Sequence, residues 1–252
     1  MTELLVVDIG NTTTRVGRWA DGEVRGVATF PTREAGSGPA IAAAVKAAEG
    51  DGGLEVALSS VTPEVERAWV EWCEGEGRGV MVVRGDTDTP LANRYEEPER
   101  LGPDRLAAAV GAVRRLGAPV VVVSLGTATV VDAVSARREL LGGAIAAGVE
   151  TGLWALAERT AALPRAAVEA PREMVGRSTE ECLRVGAVLG TAALVEGLAA
   201  RLREVVGEKA RAAVTGGLAG AISPHLRMEH EVFPELTLEG IGAIWEHNRG
   251  AG

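Results

Sequence analysis

The stretch Val6-Val7-Asp8-Ile9-Gly10-Asn11-Thr12-Thr13-Thr14-Arg15-Val16-Gly17 constrains this chain more than any other. An apolar run, Leu4 to Val7, leads straight into an aspartate. A glycine, an amide and three threonines follow, and a second strand is expected to start near Arg15. Such a turn presents backbone N–H groups and small hydroxyls beside one carboxylate. Amides and hydroxyls suit phosphate oxygens, and the carboxylate suits a hydrated Mg²⁺. Asp-Ile-Gly-Asn is equally ordinary hairpin chemistry, and the motif alone leaves the two readings level.

A second copy separates them. Val122-Val123-Ser124-Leu125-Gly126-Thr127-Ala128-Thr129-Val130-Val131-Asp132 repeats the layout: an apolar run, a Gly-Thr-x-Thr turn, another apolar run. Asp8-Ile9-Gly10-Asn11 aligns with Ser124-Leu125-Gly126-Thr127. Two halves with matching phosphate turns point to a duplicated domain clasping one nucleotide. The alternative is chance likeness between two Val-rich strands, which the shared Gly-polar-x-Thr turn weakens.

Composition narrows the function classes. The chain has 252 residues, enough for one large or two modest domains with real cores. Its formal net charge of −9 argues against a general nucleic-acid binder, which needs a basic face. Lys46 and Lys209 are the only lysines, and neither lies in a Walker A or Val-Ala-Ile-Lys context, so P-loop NTPases and protein kinases are disfavoured. Cys73 and Cys182 lack metal-ligand spacing and fit a reducing compartment. His225, His230 and His247 lie late in the chain without a ligand grid. The apolar run after Glu3 is too short for a signal peptide, and Val185 to Val195 is too short to span a bilayer. A soluble cytoplasmic protein with no membrane or nucleic-acid partner is expected.

Along the chain, Arg15 to Trp19 and Glu23 to Phe30 read as strands joined by an Asp21-Gly22 turn. Pro31 to Pro39 reads as a loop, Ala40 to Ala48 as a helix and Leu54 to Ser59 as a strand. Thr62-Pro63 starts a helix to about Glu74, with threonine as cap and proline at the first position. Val80 to Val83 is a strand, and Arg84 to Arg100 is an irregular connection holding Asn93, Tyr95 and Pro98. Gly102-Pro103-Asp104-Arg105 opens a helix that Ala107 to Leu116 continues. A hinge is expected near Gly117-Ala118-Pro119. Pro119 to Val134 repeats strand, turn and strand; Glu139 to Ala144 is a third strand and Gly148 to Thr160 a helix. Ala161 to Arg177 is a Pro-rich loop, after which Ser178-Thr179-Glu180-Glu181 caps helix running to about Val206. Ala212 to Val214 is a strand ending in Thr215-Gly216-Gly217-Leu218, where backbone can approach a ligand closely. Leu236 to Asn248 is a final helix and Arg249 to Gly252 a frayed tail.

Taken together these residues resemble type III pantothenate kinases, members of the actin/hexokinase/Hsp70-like ATPase superfamily. The resemblance runs in order through Asp8-Ile9-Gly10-Asn11-Thr12, Ser59-Ser60-Val61-Thr62-Pro63, Tyr95 with Pro98 and Gly102-Pro103-Asp104-Arg105, and Gly126-Thr127-Ala128-Thr129 with Asp132. It continues through Leu141-Gly142-Gly143-Ala144-Ile145, Glu158 to Pro164, Gly176-Arg177-Ser178-Thr179, Thr215 to Leu218 and Leu236 to Gly240. It implies an α/β chain of two duplicated ribonuclease-H-like (actin-like ATPase) domains, 1–117 and 118–252, with a central cleft. The implied activity is ATP-dependent phosphorylation of pantothenate to 4'-phosphopantothenate, the first step towards coenzyme A, by a homodimer.

The resemblance also implies roles. Asp104 is the proton acceptor. Asp8, Ile9, Gly10, Asn11, Thr12, Thr13, Thr14, Arg15 and Thr127 bind ATP, with Mg²⁺ near Asp8. Tyr95, Gly102, Pro103, Asp104, Arg105 and Thr179 bind pantothenate. The chemistry is coherent, because phosphoryl transfer needs mainly positioning and charge neutralisation.

Three places depart from the family pattern. The second turn normally opens with an aspartate that binds a monovalent cation, K⁺ or NH₄⁺; here that position is Ser124, a far weaker cation ligand, so weak or absent K⁺ dependence is expected. The usual Thr-Thr pair is Thr129-Val130, and the usual Ala-Met-Gln-Ser-Gly is Cys182-Leu183-Arg184-Val185-Gly186. They leave two alternatives: a kinase of the same fold for another small hydroxylated substrate, and a catalytically altered or regulatory homologue. Retention of Asp8, Asp104 and Thr127 favours an enzyme.

Overall fold

The computed structural model describes residues 3–49 and 53–250. In chain order the first elements are β1 (Glu3–Ile9), β2 (Thr13–Ala20), β3 (Glu23–Pro31), α1 (Gly38–Glu49), β4 (Glu55–Ser60), α2 (Pro63–Gly75), β5 (Val80–Val83), β6 (Ala92–Asn93) and α3 (Pro103–Leu116). They are followed by β7 (Val120–Leu125), β8 (Ala128–Val134), β9 (Glu139–Ala147), α4 (Val149–Arg159), α5 (Thr179–Arg184), α6 (Gly190–Val206), β10 (Arg211–Thr215), α7 (Ala219–Ile222), β11 (Glu231–Val232) and α8 (Leu236–Gly250). These elements form two compact units. One comprises Met1–Arg115, Arg138–Leu140 and Glu235–Gly252; the other comprises Leu116–Arg137 and Leu141–Pro234.

The first unit holds a sheet of order β3-β2-β1-β4-β5. Strand β1 is antiparallel to β2 and parallel to β4. Asp21 (φ 53°) and Gly22 (φ 79°) close the β2–β3 hairpin, both in the left-handed region that a tight two-residue turn demands. Leu5, Val7 and Ile9 alternate along β1 onto one face, where they pack with Ile41 and Val45 of α1 and Trp69 and Cys73 of α2. Burying each such side chain stabilises the fold by about 1.5–3 kcal/mol.

Helix α8 belongs to this first unit, not to the second half in which the sequence places it. The cause is steric fit. A Cβ on Gly240 would fall inside the Ala107 carbonyl of α3, and one on Gly242 would enter the Trp19 ring, so the glycines let α8 lie close. The Trp19 indole N–H then donates to Glu246 Oε1 at 2.8 Å.

In the second unit the strand order is β9-β8-β7-β10-β11. Strand β7 is antiparallel to β8 and parallel to β10, and β10 is parallel to β11. Apart from the added β6 the strand order repeats that of the first sheet, as do the antiparallel and parallel neighbours of its first strand, so the duplication expected from the two turns extends to the sheets. The start of β9 (Glu139, Leu140) pairs with β6 and is counted with the first unit.

Several boundaries differ from expectation. The 84–100 connection is not wholly irregular: it contains β6 and a 3₁₀ turn at Pro98–Arg100. Thr62 does sit at the N-cap of α2, but its side chain makes no cap hydrogen bond. Its hydroxyl donates instead to Gly10 O at 3.4 Å. Ser178 is a true cap, accepting from the Glu181 N–H at 3.2 Å. The helix it starts passes through a π turn at Val185–Leu189 before α6. That run, Thr179–Val206, is 28 residues and apolar enough by length and composition to cross a bilayer. Its Leu183, Val188, Ala192, Val195 and Ala199 lie in the core of the second unit, as in an amphipathic core helix. Helix α8 extends through Arg249 to Gly250, and the rest of the expected tail lies outside the described residues.

Candidate active site

Asp8 sits near the carboxyl end of β1, a place where α/β sheets bind ligands. Register puts it opposite Ser59 of β4 on one side and Arg15 of β2 on the other. Ser59 Oγ donates to Asp8 Oδ1 at 2.9 Å. The half-buried Asp8 carboxyl is pushed up to about 6 from an ordinary 3.8. Loss of water contact is the main cause and repulsion from Asp104 the second; the Ser59 hydrogen bond and the Arg15 charge oppose them. Arg15 itself forms an ion pair with Glu235, just before α8.

The turn beyond Asp8 closes with the Gly10 N–H donating to Thr13 O at 3.0 Å. Its outer carbonyl, Gly10 O, accepts from Thr32 Oγ1 at 2.8 Å as well as from Thr62. Asn11, Thr12 and Thr13 are exposed and face solvent. Ile9 and Thr14 are fully buried: Ile9 is core, and Thr14 Oγ1 lies 3.1 Å from Thr32 Oγ1. Of the nine sequence-expected nucleotide residues, these two therefore offer backbone rather than side chain.

Asp104 stands in the first turn of α3. An ideal Cβ built on Gly102 would lie 2.5 Å from Asp104 Oδ1, so the carboxylate folds back into space that only glycine leaves. One residue on, the buried Arg105 donates from Nη1 to Tyr95 Oη at 3.2 Å, with its guanidinium 5.3 Å from the ring centroid. Tyr95 is placed by Asn93: Asn93 Nδ2 donates to Gly85 O at 2.8 Å, and Asn93 Oδ1 accepts from the Tyr95 N–H at 2.9 Å. Pro103 starts α3 at half-buried depth. The first unit thus brings Asp8, Arg15 and Asp104 into electrostatic contact and pairs Tyr95 with Arg105.

In the second unit, Ser124 ends the apolar run of β7, half-buried, in register with Thr215 of β10. The Gly126 N–H donates to Ala128 O at 3.0 Å. Thr127 is exposed, and its carbonyl accepts from the Gly148 N–H at 3.1 Å and Thr151 Oγ1 at 2.7 Å. Thr129 Oγ1 is buried without a hydrogen-bond partner among the described residues. A Cβ on Gly216 (φ 101°) would run into the Leu125 backbone, so the Thr-Gly-Gly turn lies against the start of the second Gly-Thr turn. Thr179 is exposed at the first position of α5.

Sequence reasoning assigned no role to Ser59, Thr32, Asn93 or Glu235. A hydroxyl pair at the carboxyl end of an apolar strand, Ser59-Ser60, was the available signal for the first. Thr32 and Glu235 are set by tertiary proximity and leave no local trace, while Asn93 makes a local Asx-type bond to the amide two residues on and a second bond back to Gly85. Among the described residues no group of three or more His, Cys, Asp or Glu could hold a metal. Mg²⁺ is ordinarily held by one or two carboxylates together with waters and substrate phosphates, and Asp8, crowded by a second carboxylate, fits that pattern.

Duplicated sheets, each with a Gly-centred turn after its first strand, define an actin-like ATPase fold. Solved structures agree: the activator of a 2-hydroxyisocaproyl-CoA dehydratase from Clostridium difficile, with bound ADPNP, aligns at TM-score 0.57 and 12% identity over 99% of this chain and 96% of that one. An archaeal actin homologue aligns at TM-score 0.54 and 13% identity over 97% and 100%. These likenesses carry the fold alone. The type III pantothenate kinase profile matches residues 4–201. A type III pantothenate kinase from Thermomicrobium roseum is 38% identical over 96% of each chain. The chain belongs to the type III pantothenate kinase family.

Proposed function

We propose that this chain transfers the γ-phosphoryl group of ATP to the primary hydroxyl of pantothenate, giving 4'-phosphopantothenate, the first step of coenzyme A synthesis. The observation that carries the reading is the electrostatic coupling of two carboxylates from separate elements, Asp8 near the end of β1 and Asp104 at the start of α3. Asp104 accepts a hydrogen bond from the attacking hydroxyl, aims it in line and takes its proton. Gly102 and Pro103 hold that carboxylate at the helix start. Tyr95 and Arg105 act as a unit on the substrate, the guanidinium meeting the pantothenate carboxylate. Thr179 adds a hydroxyl contact.

The Asp8 to Arg15 turn and Thr127 hold ATP phosphates through backbone amides and the exposed Asn11, Thr12 and Thr13. Mg²⁺, bound with the nucleotide beside Asp8, would neutralise phosphate charge. Ser124 contributes a neutral hydroxyl, so we assign no strong monovalent-cation site there. A homodimer is supported by exposed apolar side chains in the second unit, Ile145, Trp154 and Leu156 among them, and is checked by light scattering. The protein is read as cytoplasmic.

A coupled ADP-release assay with pantothenate and a panel of other small alcohols tests the proposal. Pantothenate-dependent ADP formation supports it. Turnover with another alcohol only, or nucleotide binding without turnover, overturns it.

A further inference from the structure

Ser59 is fully buried on β4, yet its side chain is polar. A buried hydroxyl needs a partner, and this one has a specific partner: the carboxylate of Asp8, at 2.9 Å. Parallel register sets the two residues side by side on neighbouring strands, so their side chains project from the same face of the sheet. The next residue shows that the contact is not generic to the strand end. Ser60 is also buried, but its Oγ accepts from the Thr62 N–H at 3.0 Å and lies 3.1 Å from Thr62 O, tying down the entry to α2. Two adjacent serines thus serve two different ends.

An aspartate carboxylate rotates broadly about its terminal torsion. A donor on Oδ1 removes that freedom and leaves Oδ2 as the oxygen with open acceptor capacity. The chemistry of the donor matters as well. A lysine or arginine at this position would compete with a cation for the carboxylate, whereas a hydroxyl fixes its orientation and leaves its charge. Arg15, the cationic neighbour in register on the other side, has an ion-pair partner in Glu235.

We propose that Ser59 is a positioning residue, holding the Asp8 carboxylate in the orientation that receives the divalent cation accompanying the nucleotide. The inference rests on the reading of Asp8 as the Mg²⁺ carboxylate. Its test is calorimetric titration of a non-hydrolysable ATP analogue, with and without Mg²⁺, into the wild-type chain and the variants Asp8→Asn, Ser59→Ala, Ser59→Cys and Ser60→Ala. The wild type gains affinity from Mg²⁺ and Asp8→Asn loses that gain. Ser59→Ala keeps its Mg²⁺-free affinity within about twofold while its Mg²⁺-dependent gain falls about tenfold, the usual scale for removing an outer partner of a metal ligand. Ser59→Cys, near serine in volume but a weak donor, falls between. Ser60→Ala keeps the full gain even where its melting temperature drops.

An undiminished gain in Ser59→Ala, with Asp8→Asn still deficient, overturns the role of Ser59 and leaves the Asp8 reading standing. Equal losses of affinity with and without Mg²⁺ in Ser59→Ala overturn it too, because the hydroxyl would then shape the site generally. A full gain in Asp8→Asn removes both readings together.

Discussion

In the first turn the Gly10 amide reaches three residues forward, to Thr13; in the second the Gly126 amide reaches two, to Ala128. Both turns secure an outward carbonyl with two donors. Gly10 O is held by two threonine hydroxyls, from beyond β3 and the entry to α2, while Thr127 O is held by the amide and hydroxyl that open α4. The copies therefore share a frame and differ in what they carry. The longer first turn exposes three polar side chains and follows a carboxylate crowded by a second one. The shorter second turn exposes Thr127 and follows a neutral serine. The turn frame is present twice, and the carboxylate before it stands in the first copy alone.

That contrast can be broken most sharply at Asp104. Asp104→Asn should lower kcat by about 10²–10⁴-fold, the range for a positioned general base, without lowering the melting temperature, since it also relieves the repulsion with Asp8. Comparable turnover would move the chemistry out of the first unit. Asp8→Asn comes next, and separates function from stability. Because the folded chain holds the Asp8 proton more tightly than the unfolded chain, wild-type stability falls as pH rises from about 4 through about 6. Removing the charge should therefore stabilise the nucleotide-free protein by about 1–3 kcal/mol at pH 7, with the difference vanishing below about pH 4, while activity drops. Denaturant titrations at both pH values check the sign.

Gly102→Ala probes how Asp104 is held. The new Cβ displaces a flexible carboxylate rather than backbone, so kcat should fall about tenfold while stability changes by less than about 1 kcal/mol. The two carbonyl clamps are compared by Thr32→Val and Thr151→Val. Thr32 is buried and its loss strands Thr14 as well, so urea denaturation should show a cost of about 1–3 kcal/mol; the more exposed Thr151 should cost about 0.5 kcal/mol. Ser124→Ala should have the smallest effect, less than about twofold in kcat/KM, and exchanging Na⁺ for K⁺ should leave the wild-type rate unchanged. Strict K⁺ activation that disappears in Ser124→Ala would restore cation chemistry to the second turn.

The duplication was readable because strand, glycine turn and strand are local patterns, and the same order then extended to both sheets. Helix starts at Pro63, Pro103 and Thr179 were readable for the same reason: proline and capping residues act on their own turn. Thr62 shows where that logic stops. Its local chemistry specified a cap, but a carbonyl from the first turn lay within reach and took the hydroxyl. Short β6 and β11 carry too few residues to show a period. Asp8 and Asp104 were legible as candidates, but their mutual repulsion is separated by most of a domain in sequence and needed the fold. Asn93, which orients Tyr95 through a hydrogen bond on each side of its amide, was visible only as a polar residue in a loop.

Helix α8 is the last described element, yet it seals a sheet begun at residue 3. On a ribosome, the intervening unit is synthesised whole before the first can close. Until then Trp19 lacks its Gly242 lid and its Glu246 acceptor, leaving an apolar sheet face open to chaperones or to neighbouring nascent chains. A side chain introduced at Gly240 or Gly242 would accordingly be felt far away in sequence, in the sheet that carries Asp8.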